Sequence, residues 1–131
     1  MAHPIFEVEG LILDNASYVR YLLVLKRLHK AGGVRSADLA RALNVTKTSV
    51  HSMMNNFIDL NYVEKERGGL VFLTQAGLQQ ANCYEELYNR IAAALFSDCD
   101  TDPSAEKAMC ALIAELSEDC KTILMQNLTT P

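Results

Sequence analysis

At 131 residues, half of them apolar and about a fifth charged, the chain is long enough to bury a core and too apolar to stay disordered. No run approaches the ~20 consecutive apolar residues of a membrane span, and the acidic first ten residues lack a secretory pattern. The four cysteines (Cys83, Cys99, Cys110, Cys120) show no metal-type pair spacing and suit reduced thiols, so a cytoplasmic protein is expected.

The net charge of −4 is unevenly spread. Residues 1–77 hold nine Lys or Arg against seven acids, and residues 78–131 hold three against nine. The first part, at +2, tolerates phosphates; the second, at −6, repels them.

Taken in chain order, residues 15–31 predict an amphipathic helix capped by Asn15. It turns Tyr18, Leu22, Leu25 and His29 inward, and Ala31-Gly32-Gly33 stops it. Ser36 caps a short helix, Ala37 to Leu43, with Leu39, Ala40 and Leu43 inward. Asn44-Val45-Thr46 leaves room only for a tight turn, with Val45 as a plug and Thr46 as the next cap. A third helix, Lys47 to Leu60, buries Val50, Met54, Phe57 and Ile58. Helix, short turn, helix is a helix-turn-helix pattern. Residues 62–67, Gly68-Gly69 and residues 70–73 then read as a two-stranded hairpin, a wing. Thr74 caps a long helix, 75–97, which turns Leu78, Ala81, Tyr84, Leu87, Tyr88, Ile91, Ala94 and Leu95 inward. Asp102-Pro103 opens another, with Met109, Leu112, Ile113 and Leu116 inward, and residues 117–119 open a last short one containing Leu128. The expected fold is mostly α: a winged helix-turn-helix over 1–74, followed by a helical dimerisation segment over 75–131.

The third helix sets Thr46, Lys47, Thr48, Ser49, His51, Ser52 and Asn55 opposite its apolar face. Small hydroxyls, an amide and an imidazole reach base edges in a major groove without crowding the helix out. Lys47, with Arg35 and Arg41 on the preceding helix, is placed to neutralise phosphates, and Lys65 and Arg67 stand at the wing. Leu87, Ile91, Leu95, Leu112, Ile113 and Leu116 are more apolar surface than two short helices can hide, which predicts a two-fold dimer. No paired catalytic carboxylates, nucleophile with base or phosphate-cradling glycine loop is present, so no enzyme is expected.

Three segments carry a family resemblance: residues 18–25 (Tyr-Val-Arg-Tyr-Leu-Leu-Val-Leu), residues 37–50 (Ala-Asp-Leu-Ala-Arg-Ala-Leu-Asn-Val-Thr-Lys-Thr-Ser-Val), and residues 69–77 running into the long helix, with Cys110 and residues 116–119 beyond. Residues 14–120 resemble the diphtheria-toxin-repressor (DtxR) family of metal-dependent regulators and its shorter manganese-transport (MntR) members. The resemblance implies a homodimeric transcription regulator, most simply a repressor, on a double-stranded DNA operator with two half-sites. It also implies a manganese or iron site, but the ligand positions fall on Ser17, Arg20, Tyr88, Ala92, Cys110, Ile113 and Ala114. Only Cys110 and Glu106 among this set and its neighbours can coordinate, and all three histidines precede the wing. The divalent-metal switch is therefore expected to be lost and no cofactor is expected, with Arg20 pairing instead with Glu106 or another acid of the fifth helix. Two other readings stay open: a regulator of the multiple-antibiotic-resistance (MarR) type responding to a small molecule, and a winged helix serving as a protein-interaction module.

Overall fold

The computed structural model of the chain describes residues 6–8, 11–13, 15–29, 32–99 and 101–127. The helix stop assigned to Ala31 and the inward Leu128 lie outside these. A short antiparallel hairpin comes first, β1 (Phe6–Val8) with β2 (Leu11–Leu13), paired Phe6 to Leu13 and Val8 to Leu11. Then follow α1 (Asn15–Leu28), β3 (Val34–Arg35), α2 (Ser36–Leu43), α3 (Lys47–Asp59), β4 (Val63–Lys65), β5 (Leu70–Leu73), α4 (Gln75–Leu95), α5 (Pro103–Glu115) and α6 (Glu118–Asn127). The fold is mostly helical with a winged helix-turn-helix at its centre.

The wing has three strands, not two, in the order β3-β5-β4, all antiparallel. Val34 and Arg35 pair with Val71 and Leu70, so Arg35 is a strand residue and not part of the second helix. Ser36 does not cap α2. Its amide and its hydroxyl both donate to the Gly69 carbonyl, at 3.3 and 3.1 Å, tying the start of α2 to the wing turn. That turn needs two left-handed residues, and Gly68 and Gly69 supply them at φ of 89° and 83°.

Other caps match the sequence. Thr46 Oγ1 accepts from the Ser49 amide at 3.1 Å, Thr74 Oγ1 from Gly77 at 3.0 Å, and the Asp102 carboxylate from Ser104 at 2.8 Å, with Pro103 in the first turn of α5. Removing the Thr46 oxygen as Thr46→Ala is expected to cost about 1 kcal/mol of stability. Chemical denaturation would read this, and no change in midpoint would show that the cap contributes nothing.

Two buried clusters share α1 and α4. Tyr18, Tyr21, Leu22 and Leu25 join Leu39, Leu43, Val50, Met53, Met54, Phe57, Val63, Val71 and Ala81 in the first. Val19 and Leu23, on the other side of α1, join Leu87, Tyr88, Ile91, Met109, Cys110 and Ile113 in the second. A helix apolar nearly all round is one buried on both sides, and α1 lies between the winged unit and the α4–α5 pair. This corrects the expected dimer face. Leu87, Ile91 and Ile113 are consumed inside the chain by Val19 and Leu23, while Leu95, Leu112 and Ile123 remain 68%, 38% and 53% exposed and Leu116 is half-buried. Ile58, Leu78 and Ala94, expected inward, are exposed as well.

Candidate nucleic-acid interface

The geometry of α3 follows from its buried arc. Val50, Met53, Met54 and Phe57 recur at three- and four-residue spacing and are fully buried. The opposite arc exposes Lys47, Thr48 and His51, with Asn55 half-buried one turn on. Ser52 does not belong to that arc. It is 0% exposed and its hydroxyl lacks a hydrogen-bond partner. α2, β4 and β2 all pack on α3, so the helix has neighbours on more than one side. Ser52 cannot reach a base edge and is withdrawn from the interface. Ser49 is half-buried, and its hydroxyl accepts from Thr46 Oγ1 at 3.0 Å, which leaves its own proton to donate.

Among the described residues, a polar contact between side chains joins the helix to the wing. Lys65 Nζ on β4 lies 3.3 Å from His51 Nδ1. The Lys65 ammonium donates where Nδ1 carries the ring's lone pair, and in that tautomer Nε2–H is a donor. Lys47, Arg35, Arg41, Lys65 and Arg67 are all exposed. Arg41 spends part of its charge on Asp38 at 3.3 Å, an exposed pair one helical turn apart and worth little.

Around α1 and α5 the residues do not suit a divalent metal. A cleft of about 330 Å³ lies there, lined by Ala16, Ser17 and Arg20 of α1 and by Pro103, Glu106, Lys107 and Cys110 of α5. Its cationic walls oppose a cation. Burial, reinforced by the Glu106 carboxylate and only partly offset by Arg20 and Arg27, pushes the Cys110 thiol up to about 11, so it is a neutral thiol and a poor ligand. Among the described residues, no three His, Cys, Asp or Glu side chains cluster as a metal site would need. Arg27, not Arg20, meets Glu106, at 3.7 Å, while its guanidinium lies 5.7 Å from the centre of the Tyr88 ring. Lys26 pairs with Glu85 at 2.5 Å. These two pairs tie the end of α1 to α4 and α5.

The thiol chemistry is directly testable. Cys83 and Cys99 are exposed and Cys110 is buried. In native protein, iodoacetamide is expected to modify Cys83 and Cys99 well before Cys110, as read by peptide mass spectrometry; equal rates would contradict the burial of α5 against α1.

A three-helix unit whose last helix presents a polar stripe beside a β-hairpin is a winged helix-turn-helix. The model of the MarR family matches residues 16–70, the span of α1 through the wing turn. Among curated proteins none matches the chain. Several solved structures share the fold. The hypothetical protein SSo2273 from Sulfolobus solfataricus is 21% identical with a TM-score of 0.62, over 88% of this chain and 89% of that one. IdeR of T. acidophilum is 28% identical with a TM-score of 0.57, over 82% of this chain and 52% of that one. The manganese regulator SloR is 16% identical with a TM-score of 0.66, over 86% and 54%. The chain spans about half the length of IdeR and SloR. The regulators it resembles are DtxR-like over most of its length, whereas the family model that matches its winged part is MarR.

Proposed function

We propose that the chain is a homodimeric, sequence-specific DNA-binding transcription regulator, a repressor in its simplest form, with residues 1–74 contacting DNA and 75–131 pairing two copies. The observation that carries the reading is the contact of His51 with Lys65. It aligns the exposed stripe of α3 with the wing, so that one surface offers donors to base edges and cations to phosphates. Lys47, Thr48, Ser49, His51 and Asn55 read the major groove with Thr46 at the helix start. Arg35, Arg41, Lys65 and Arg67 hold the backbone. The charge division supports it, since the winged part is positive and the remainder repels DNA. Pairing is supported by the exposed apolar side chains of Leu95, Leu112 and Ile123, and light scattering should show a dimer at micromolar concentration. Leu95→Glu with Leu112→Glu should yield a monomer, and a monomeric wild type would defeat the pairing.

The DtxR-like and MarR-type readings are about equally supported, and the cleft chemistry bears on the metal alone. A site walled by Arg20 and Lys107 favours a regulator that does not answer to manganese or iron, whatever its ancestry. A fluorescence-anisotropy titration on a duplex selected from a random pool tests the DNA reading. His51→Ala should weaken that duplex by about 1–3 kcal/mol and spare random DNA, and Arg67→Ala should weaken both alike. Ser52→Ala should change neither, being buried. Uniform losses on all sequences for every variant would remove the base-reading role of α3.

A further inference from the structure

Lys65 reaches α3 because of its place in the wing. It pairs in register with Val71, and directly paired residues of neighbouring strands share a sheet face. Val63, two residues earlier on β4, lies on the same face. Val63 and Val71 are 2% and 0% exposed, in the cluster that also buries Val50, Met53 and Met54 of α3. Lys65 stands at the rim of that face, and its stem carries the ammonium to 3.3 Å from His51 Nδ1. Glu64, paired with Phe72, falls on the opposite face, and among the described residues Lys65 forms no ion pair. His51 itself sits midway along the exposed stripe, one turn after Lys47 and one turn before Asn55. Where its Nδ1 lone pair faces the ammonium, the ring's single N–H is at Nε2, across the ring from Lys65.

We propose that Lys65 is a positioning residue for base reading: it holds His51 with Nε2–H outward, and that N–H selects a guanine in the major groove. The assignment rests on the regulator reading above. Guanine shows two acceptors, N7 and O6, on its major-groove edge. Cytosine shows a donor there, adenine sets a donor beside its N7, and thymine offers one acceptor beside a methyl group. A neutral imidazole left to itself presents a donor or an acceptor according to its tautomer and ring flip, so it discriminates poorly. The contact with Lys65 removes that choice. An N–H fixed outward meets the amino group of cytosine or adenine as donor against donor, and both are left unpaired. The wing thus takes part in sequence choice through the helix, in addition to the charge it offers the backbone.

The test uses the full chain and the duplex selected from a random pool. Each position of that duplex is exchanged for the other three base pairs, and the position whose discrimination His51→Ala abolishes is the one His51 reads. The wild type should prefer guanine there by about tenfold, the scale of one hydrogen bond against an unpaired donor. Lys65→Met keeps the stem and loses the donor, so it should cut that preference to about threefold or less and leave the preferences at other positions unchanged. Lys65→Arg, which keeps a donor, should restore it. Lys65 is exposed, and neither exchange should lower Tm appreciably. Without DNA, at about pH 8 where an ordinary imidazole is neutral, a proton–nitrogen correlation spectrum of isotope-labelled wild type should show the His51 proton on Nε2. Lys65→Met should show signals averaged between the two tautomers. Overturning results are preference for another base at that position, or the same ring signals in both proteins. A guanine preference that Lys65→Met leaves intact, while affinity falls on all duplexes alike, would sink this assignment and spare the regulator reading. No binding to any duplex would sink both.

Discussion

Gly77→Ala is expected to destabilise the protein by about 3 kcal/mol or more, although alanine is the better helix former by roughly 1 kcal/mol. A Cβ on Gly77 would stand 2.0 Å from the Tyr62 carbonyl oxygen and 2.8 Å from its carbon, and both are backbone atoms. The same carbonyl accepts from the Thr74 amide at 2.9 Å, while the Thr74 hydroxyl donates to Asn61 at 2.6 Å and accepts from Gly77. The turn from α3 into β4 (Asn61 and Tyr62), the end of the wing and the first turn of α4 therefore meet at one joint with no space for a methyl group. Relief requires α4 to move away from the wing, so DNA affinity should fall together with the melting temperature. Gly32→Ala is the control: nothing lies within 4 Å of its added Cβ, and its melting temperature should stay close to that of the wild type. A Gly77→Ala variant of unchanged stability would show that the joint is looser than described.

Phe57→Ala is the second large effect, at about 3–5 kcal/mol. Its ring is fully buried, edge-on to Tyr18 of α1 at 5.4 Å and tilted against Tyr62 at 6.0 Å. Removing it opens a cavity at the point where α3 is held to α1. Ile58, the next residue, is 40% exposed, and Ile58→Ala should cost well under half as much. Denaturant titration of both variants measures the contrast, and similar losses would mean that the buried arc of α3 is misplaced.

The contrast between Phe57 and Ile58 also shows what the sequence could reveal. Local chemistry was readable: Thr46, Thr74 and Asp102 cap the helices expected of them, and Gly68-Gly69 turns the wing. Non-local pairing was not. Val34-Arg35 became a strand because β5 offers a free edge, which no feature of two residues announces. The β1–β2 hairpin went unread, though Gly10 between two short apolar runs was a usable signal. Ser52 is buried although its position on the helix and its hydroxyl suggest the exposed stripe, and the elements packed on α3 are distant in sequence or too short to announce themselves. The dimer face failed for a similar reason. An apolar count on α4 and α5 cannot show that Val19 and Leu23 will absorb Leu87, Ile91 and Ile113. The nearly unbroken apolar run from Tyr18 to Leu25, with Arg20 as its one polar member, was the sign that α1 is covered on two sides. For the cleft, the sequence showed that the old ligand positions were unsuited to a metal, but the pairing of Glu106 with Arg27 that leaves Arg20 available needed coordinates.

The central claim is that α3 and the wing form one cationic, base-reading surface. The salt dependence of binding to a selected duplex tests it most directly. The observed association constant should fall steeply as salt rises from about 50 to 200 mM, and a log–log slope of about −0.9 is expected for each phosphate neutralised. Arg67→Ala should flatten that slope by about one unit, and His51→Ala should lower the affinity while leaving the slope unchanged. A wild-type protein that shows no binding at about 50 mM salt, or a slope near zero, would contradict the assignment of this surface to DNA.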